Sequence, residues 1–266
     1  MQDHSIYDAY KFEKGLLNKV SDPITVEAPL QISINNQPYT VVMQTPGAEE
    51  ELSIGLLYAE NVLHNFKDIE IKSHLKNGFI QTINIDTPES NLADGYLSTR
   101  SLLSVSSCGI CGKREIQDIK VSGSPIISSE TFTQDQILKA HSIFNSKQDL
   151  FQLTGGCHGI AIFNAQMDCL ASYEDIGRHN ALDKAIGCCI RNNMIGEAKI
   201  VAFSGRVSFE IVAKAFRAKI PLITAVSAPS SLAIEMAKDV GITVVGFTRD
   251  NRFTVYSNPA KISISK

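Results

Sequence analysis

Cysteine is scarce in this chain, neither sign of charge is in excess, and no apolar run is long. Six cysteines among 266 residues are far too few for a disulfide-stapled secreted scaffold, and in a reducing compartment such thiols pack in cores, ligate metals or react. Twenty-eight acidic against 25 basic side chains give a formal net charge of −3, which argues against a basic duplex-binding face. No stretch reaches the roughly 18 consecutive apolar residues of a membrane span. In residues 1–15, Asp3, His4, Asp8, Lys11, Glu13 and Lys14 interrupt the apolar positions and leave no h-region. A cytoplasmic protein without a membrane segment is expected. The hydrophobic share of 44% and charged share of 20% are those of an ordinary globular chain, which excludes disorder and allows one large domain or two. No internal repeat is present.

The pattern divides the chain near residue 130. After a polar N-terminus, Leu30, Ile32 and Ile34 alternate with polar neighbours, Asn35-Asn36 supplies a turn, and residues 39–44 are rich in β-branched side chains, which predicts a hairpin. Behind Glu49, Glu50 and Glu51, which suit the positive end of a helix dipole, Leu52, Leu56, Ala59 and Leu63 recur at helical spacing. A second hairpin, 69–74 with 79–85, turns on Asn77-Gly78, a dipeptide preferred in type I′ loops. Between 96 and 129 the periodicity fades into a serine-rich stretch, expected to be a long mobile loop. From about 131, helices (133–145, 178–192, 207–218, 231–239) alternate with apolar strands (159–163, 169–173, 200–203, 222–226, 243–247). That alternation predicts βαβ units around a largely parallel, buried sheet. The expected fold class is α/β, α+β overall: a smaller antiparallel β-rich N-terminal domain over 1–130 that carries the loop, and a three-layer α/β domain over 131–266.

Cys108-Gly109-Ile110-Cys111 is the one C-x-x-C of the chain. Its spacing, the neighbouring Lys113 and Arg114, and the amides of a glycine-containing turn favour thiolates that reach one electrophile or each other. The alternatives are half of a structural zinc site, for which no second C-x-x-C exists, and a dithiol redox motif, which normally opens a helix after a strand. Cys157, Cys169, Cys188 and Cys189 lie beside strand or helix signals and are expected to pack as small hydrophobes.

Thr154-Gly155-Gly156-Cys157-His158 reads either as a phosphate cradle with a ligand-contacting His158 or as a tight structural turn. Glu174-Asp175-Ile176-Gly177-Arg178-His179-Asn180 concentrates two carboxylates, a guanidinium, an imidazole and an amide at a strand-to-helix junction. Helix capping explains one or two of these, Asp175 first; Asp175, Arg178, His179 and Asn180 are therefore candidate ligand contacts. Ser204-Gly205-Arg206 and Ser227-Ala228-Pro229-Ser230 leave strand ends, where helix amides converge in open α/β sheets. In Phe247-Thr248-Arg249-Asp250-Asn251-Arg252 two arginines bracket a turn beside a ring able to stack. Ser204, Gly205, Arg206, Ser227 and the 247–252 turn are thus expected on one edge, with Gly156 and His158 as further candidate contacts, and such basic, amide-rich elements in an acidic protein point to a phosphorylated or nucleotide-like ligand.

Taken together, Ser107-Cys108-Gly109-Ile110-Cys111-Gly112-Lys113, Thr154-Gly155-Gly156-Cys157-His158, the EDIGRHNALDKAIG string from Glu174, Ser204-Gly205-Arg206-Val207-Ser208-Phe209-Glu210 and Val226-Ser227-Ala228-Pro229 resemble the motifs of the formate dehydrogenase accessory sulfurtransferases, the FdhD/NarQ family, over roughly 26–261. The resemblance implies that a cysteine desulfurase passes a sulfane sulfur to Cys108 as a persulfide, with Cys111 as its partner. The sulfur then goes to the molybdenum cofactor in its bis(guanylyl molybdopterin) form, bound as substrate, before that cofactor enters formate dehydrogenase. It further implies a homodimer, a site that GDP or a related guanine nucleotide can occupy, and a cofactor-binding turn at 247–252. In relatives that turn often holds Pro-Gly where this chain has Asp250-Asn251. The family's C-terminal domain is similar to the cytidine deaminase fold, yet deaminase chemistry does not follow. That zinc site needs H-x-E and then P-C-x-x-C, whereas His158-Gly159-Ile160 lacks the glutamate and the C-x-x-C lies upstream, so no metal is expected. A non-catalytic carrier of the cofactor and a dithiol oxidoreductase are the remaining alternatives.

Overall fold

A computed structural model describes residues 3–93, 123–127 and 129–264; Cys108 and Cys111, with most of the 96–129 stretch, lie outside the described residues. Gly123 lies against the ring of Phe216, and the amide of Ile126 donates to the carbonyl of Val240 at 2.8 Å. The described end of that stretch is therefore docked on the C-terminal half.

The polar N-terminus is not a lead-in but a ribbon, β1 (His4–Glu13) paired antiparallel with β2 (Leu16–Thr25). Its turn, Lys14-Gly15, takes positive φ at both positions, the geometry whose twist suits a two-residue hairpin. Both faces of the ribbon are largely exposed, so no single face carries the alternation by which a half-buried strand is recognised. The two hairpins read from the sequence are present as β3 (Ala28–Ile34) with β4 (Gln37–Gln44), and β5 (Glu70–Lys76) with β6 (Phe79–Asp86). Parallel pairing of β3 with β6 joins them into one sheet of order β4-β3-β6-β5. Leu30, Ile32, Ile83 and Ile85 on its inner face meet Leu52, Leu56 and Leu57 of α1 (Glu49–Ala59).

The C-terminal half is a six-stranded sheet of order β13-β12-β11-β10-β8-β9, built from β8 (His158–Phe163), β9 (Cys169–Asp175), β10 (Ile200–Phe203), β11 (Leu222–Ala225), β12 (Thr243–Arg249) and β13 (Arg252–Val255). Two further two-residue strands, β7 (Phe132–Thr133) and β14 (Ile262–Ser263), pair beside it. Only the β10–β11 and β11–β12 pairings are parallel; the β8–β10, β8–β9 and β12–β13 pairings are antiparallel. The sheet is mixed, which corrects the largely parallel expectation, because short connections return the chain at β8–β9 and β12–β13 where the three central strands use helical crossovers. Among the described residues there are three layers. Helix α2 (Gln134–Asn145) covers one face through Ile137, Ala140 and Phe144, after the shorter α3 (Asp149–Thr154) is set aside at the edge. The other face is covered by α4 (Arg178–Arg191), α5 (Phe209–Arg217) and α6 (Ser231–Val240) through residues such as Leu182, Ile186, Ile211 and Met236. Thr133 opens α2 with a reciprocal capping box to Gln136. No helix is long and apolar enough to cross a membrane among the described residues.

The two halves meet where α1 crosses α4. A Cβ on Gly55 would lie 1.9 Å from the carbonyl oxygen of Asp183, and one on Gly187 1.9 Å from that of Glu51, so the backbones touch with no side chain between them. Arg191 at the end of α4 holds Glu50 at 2.8 Å and also pairs with Glu51. Replacing Gly55 or Gly187 by alanine is expected to lower stability by about 3 kcal/mol or more, since overpacking against backbone has no flexible atom to yield. Urea denaturation of each variant measures the loss.

Candidate functional site

Because β8 runs antiparallel to β10 and β9 antiparallel to β8, the start of β8, the end of β9 and the ends of β10, β11 and β12 all lie on one sheet edge. His158, Asp175, Ser204, Val226 and Phe247 are therefore brought to the same side from five separate segments. A cleft of about 400 Å³ opens there, lined by Gly156, Cys157, His158, Ile176, Ser204 and Val226, by Asn145 of α2, by Gln148 at the entry to α3 and by Phe151 of α3.

Gly155 ends α3 in the left-handed conformation at φ 64°, with its amide donating to the Phe151 carbonyl at 2.7 Å. The glycine pair thus has two roles, a helix stop at Gly155 and a wall of the cleft at Gly156. Cys157 is buried, and its thiol lies 3.4 Å from Glu174 Oε1. Burial first, and then the carboxylate of Glu174, push its pKa far above the ordinary thiol range, so it stays a packed thiol rather than a nucleophile. Glu174 is occupied in turn, accepting from the amides of Leu150 and Phe151 at 2.9 Å each. Cys169, Cys188 and Cys189 carry free thiols on β9 and α4, and Cys189 belongs to the apolar core.

His158 is half-buried at the head of the cleft. Its pKa is lowered by burial and then by the nearby guanidiniums of Arg178 and Arg206. Glycine at 205 leaves it room, for a Cβ there would stand 3.3 Å from His158 Nδ1. His179 is buried, 3.5 Å from the Ser208 hydroxyl at the start of α5, and burial followed by the charges of Lys214 and Arg178 takes its pKa down to about 4. Both imidazoles are neutral at neutral pH. The positive charge at this edge thus belongs to Arg178 and Arg206, beside the amino ends of α4 and α5, where backbone N–H groups favour anions. Arg178 Nε is buried and has no hydrogen-bond partner.

Asp175 and Asn180 are turned inward. Asp175 Oδ1 accepts from the Gly177 amide at 2.8 Å and from Asn180 Nδ2 at 3.0 Å, while Oδ2 accepts from the Thr45 amide at 3.0 Å and pairs with Lys184 Nζ at 2.7 Å. Asn180 Nδ2 also reaches the carbonyl of Met43 at 2.7 Å, and Lys184 reaches that of Thr45 at 2.6 Å. These contacts bind β4 to the site edge. Sequence reading missed Thr45 and Lys184 as partners: Lys184 was visible in the same string as Asp175, whereas nothing local marks Thr45. Ser204 uses its hydroxyl to accept from the Gly159 amide at 2.9 Å, closing the gap between β8 and β10.

Phe247 lies further along the edge, 44% exposed and at φ 54°, with its ring 6.4 Å from that of Tyr256. A bulge interrupts β12–β13 pairing between Gly246 and Arg249. The backbone carbonyl of Ser227 accepts from the Phe247 amide at 3.4 Å. Asp250 and Asn251 both take positive φ between the paired Arg249 and Arg252; this is a two-residue type I′ geometry, for which Asp and Asn are suited. Arg249 and Arg252 are exposed at its two ends, while Thr248 is buried.

The model of the FdhD/NarQ family matches residues 25–263. The chain is 37% identical over 257 residues to the sulfur carrier protein FdhD of Sulfolobus acidocaldarius, covering 96% of each. It is 38% identical over 259 residues to that of Thermoplasma acidophilum, covering 96% of this chain and 91% of the relative. A crystal structure from Desulfotalea psychrophila, named as a formate dehydrogenase accessory protein, superposes with a TM-score of 0.77 at 21% identity, over 98% of this chain and all of that one.

Two outcomes follow from these contacts. Lys184→Met is expected to cost about 3 to 5 kcal/mol, because it leaves the Asp175 carboxylate buried without its cation; chemical denaturation measures it. Acid should weaken the fold between about pH 6.5 and 4. His141 and His179 both fall to about 4 through burial, so the unfolded chain takes up their protons first. Each costs on the order of 3 kcal/mol at the bottom of that window. Asp183, raised to about 6 by burial against the pull of Lys214, binds its proton first in the folded state and offsets one of the two. Urea midpoints at pH 7 and pH 4.5 test the net loss.

Proposed function

This chain belongs to the FdhD/NarQ family, and from that premise we propose that it is a cytoplasmic, homodimeric sulfurtransferase that takes sulfur from a cysteine desulfurase and delivers it to the molybdenum cofactor of formate dehydrogenase. The convergence of Arg178, Arg206 and the 247–252 turn on one edge, beside a cleft walled by His158 and Ser204, supports this reading. The donor set fits the cofactor's guanine dinucleotide arms: guanidiniums and helix amides for phosphates, an exposed ring for a base, and an unpartnered buried Arg178 Nε awaiting an acceptor. The neutral histidines add hydrogen-bonding capacity without competing for the anion.

The chemistry divides into two exchanges. In the first, the Cys108 thiolate attacks the terminal sulfur of the desulfurase persulfide; the donor's S–S bond breaks, its electron pair leaves with the donor cysteine as thiolate, and Cys108 carries the persulfide. In the second, the Cys111 thiolate attacks Cys108 Sγ, forming the Cys108–Cys111 disulfide and expelling the carried sulfur as hydrosulfide toward the cofactor held at the edge. A cellular dithiol then reduces the disulfide. Sulfur relay between two different partners needs thiols that both can reach, a demand that the serine-rich sequence around the two cysteines suits.

Incubation with a cysteine desulfurase and sulfur-labelled cysteine is expected to give cyanide-labile label on the wild-type chain and none on Cys108→Ala. Label retained by Cys108→Ala would overturn the assignment of the carrier. Arg178→Ala should weaken GDP binding by about tenfold or more through loss of a charge-assisted contact, as read by calorimetry.

A further inference from the structure

Phe247 holds a backbone conformation that a bulky residue does not adopt by local preference. The cause lies under the sheet. On β11, Ile223 and Ala225 pack toward α4, α5 and α6, so Thr224 between them faces α2. Its register partner Val245 on β12 packs among the α2 residues too. In a regular strand the next inward side chain after Val245 would be Phe247. Instead Thr248 takes that place: it is 1% exposed, its Oγ1 lies 3.0 Å from Thr224 Oγ1, and Phe247 is expelled as the extra residue of the bulge. The hydroxyl pair continues to α2, where His141 Nε2 stands 2.9 Å from Thr224 Oγ1. His141 is 4% exposed and its Nδ1 has no hydrogen-bond partner. Apolar side chains of the same shape would fill this space without leaving an unsatisfied nitrogen. The hydroxyl chain adds direction, for it rewards Thr248 and not Phe247 for pointing inward.

We propose that His141, Thr224 and Thr248 are positioning residues that fix the β12 bulge and thereby hold the Phe247 ring out on the sheet edge, where a guanine base of the ligand stacks. The ligand part of this inference rests on the reading of the edge as a nucleotide site; the positioning part does not. The chain contains no tryptophan, so Phe247→Trp makes a single reporter of the ring's surroundings in the full-length protein. Its emission is expected at the long wavelength of an exposed indole, open to acrylamide quenching. Thr248→Val, which exchanges only the hydroxyl for a methyl, should shift that emission to shorter wavelength and reduce quenching at least twofold, while Thr248→Ser leaves both unchanged. His141→Gln breaks the chain from its other end and gives the same blue shift should Thr248→Val fail to fold. Unchanged emission in both variants overturns the positioning role. GDP titration then separates the two readings. With Phe247 intact, Thr248→Val should weaken GDP binding by roughly the tenfold expected of Phe247→Ala for one stacked base, and the double variant should be no weaker than Phe247→Ala alone. Equal further weakening in the double variant overturns action through the ring. A blue shift with GDP affinity unaltered in Phe247→Ala leaves the positioning in place and removes the base from the ring.

Discussion

A fully buried carboxylate, that of Asp175, is the constraint on which the site depends. A charge taken out of water survives only if every lone pair is used and a cation is near, and here four donors from three parts of the chain supply those needs. The Gly177 amide and Asn180 fix the turn from β9 into α4, so that Arg178 leaves the turn at the cleft. Lys184 ties the second turn of the same helix to the same oxygen. Thr45 brings in the end of β4, and its own hydroxyl accepts from the Ile176 amide at 3.0 Å. One side chain thus determines where the helix that carries Arg178 and His179 begins, and which segment of the N-terminal half lies against it.

This division of labour explains why a dense polar motif misleads when each of its residues is read as a ligand contact. In Glu174 to Asn180, Asp175 and Asn180 face inward, Glu174 caps α3, and Arg178 has an unsatisfied nitrogen. The motif is dense because it builds the edge as well as furnishing it. The elements with one buried face were legible: the β3–β4 and β5–β6 hairpins, α1, and the helices and strands from β8 to β12 follow their apolar periods. What escaped had no such period or depended on distant residues. The β1–β2 ribbon is exposed on both sides, β13 follows a bulge that breaks the alternation, and Thr45 is marked only by Asp175, 130 residues away. The parallel assumption for the sheet failed for the related reason that apolar runs mark burial on two faces, not strand direction.

The electrostatics of the edge accord with a chain of net negative charge. Neighbouring acids are consumed internally: Asp175 by Lys184, Asp183 by Lys214 at 2.6 Å, and Glu174 by helix amides. Burial keeps His179 uncharged and lowers His158. The local field is therefore set by Arg178, Arg206 and helix ends, whatever the overall balance of charge.

The glycine contact between α1 and α4 has a mechanical meaning. Where two helices meet through interdigitated side chains, rotamer changes absorb a displacement; where carbonyl meets Cα directly, at Gly55 and Gly187, there is nothing compliant to absorb it. Helix α1 and helix α4 are joined there by a stiff contact and form one lever. Arg178 and His179 ride on the far end of that lever, and α1 belongs to the half from which the cysteine-bearing segment departs. A load applied to the N-terminal half would reach the candidate site edge through this contact as a rigid displacement.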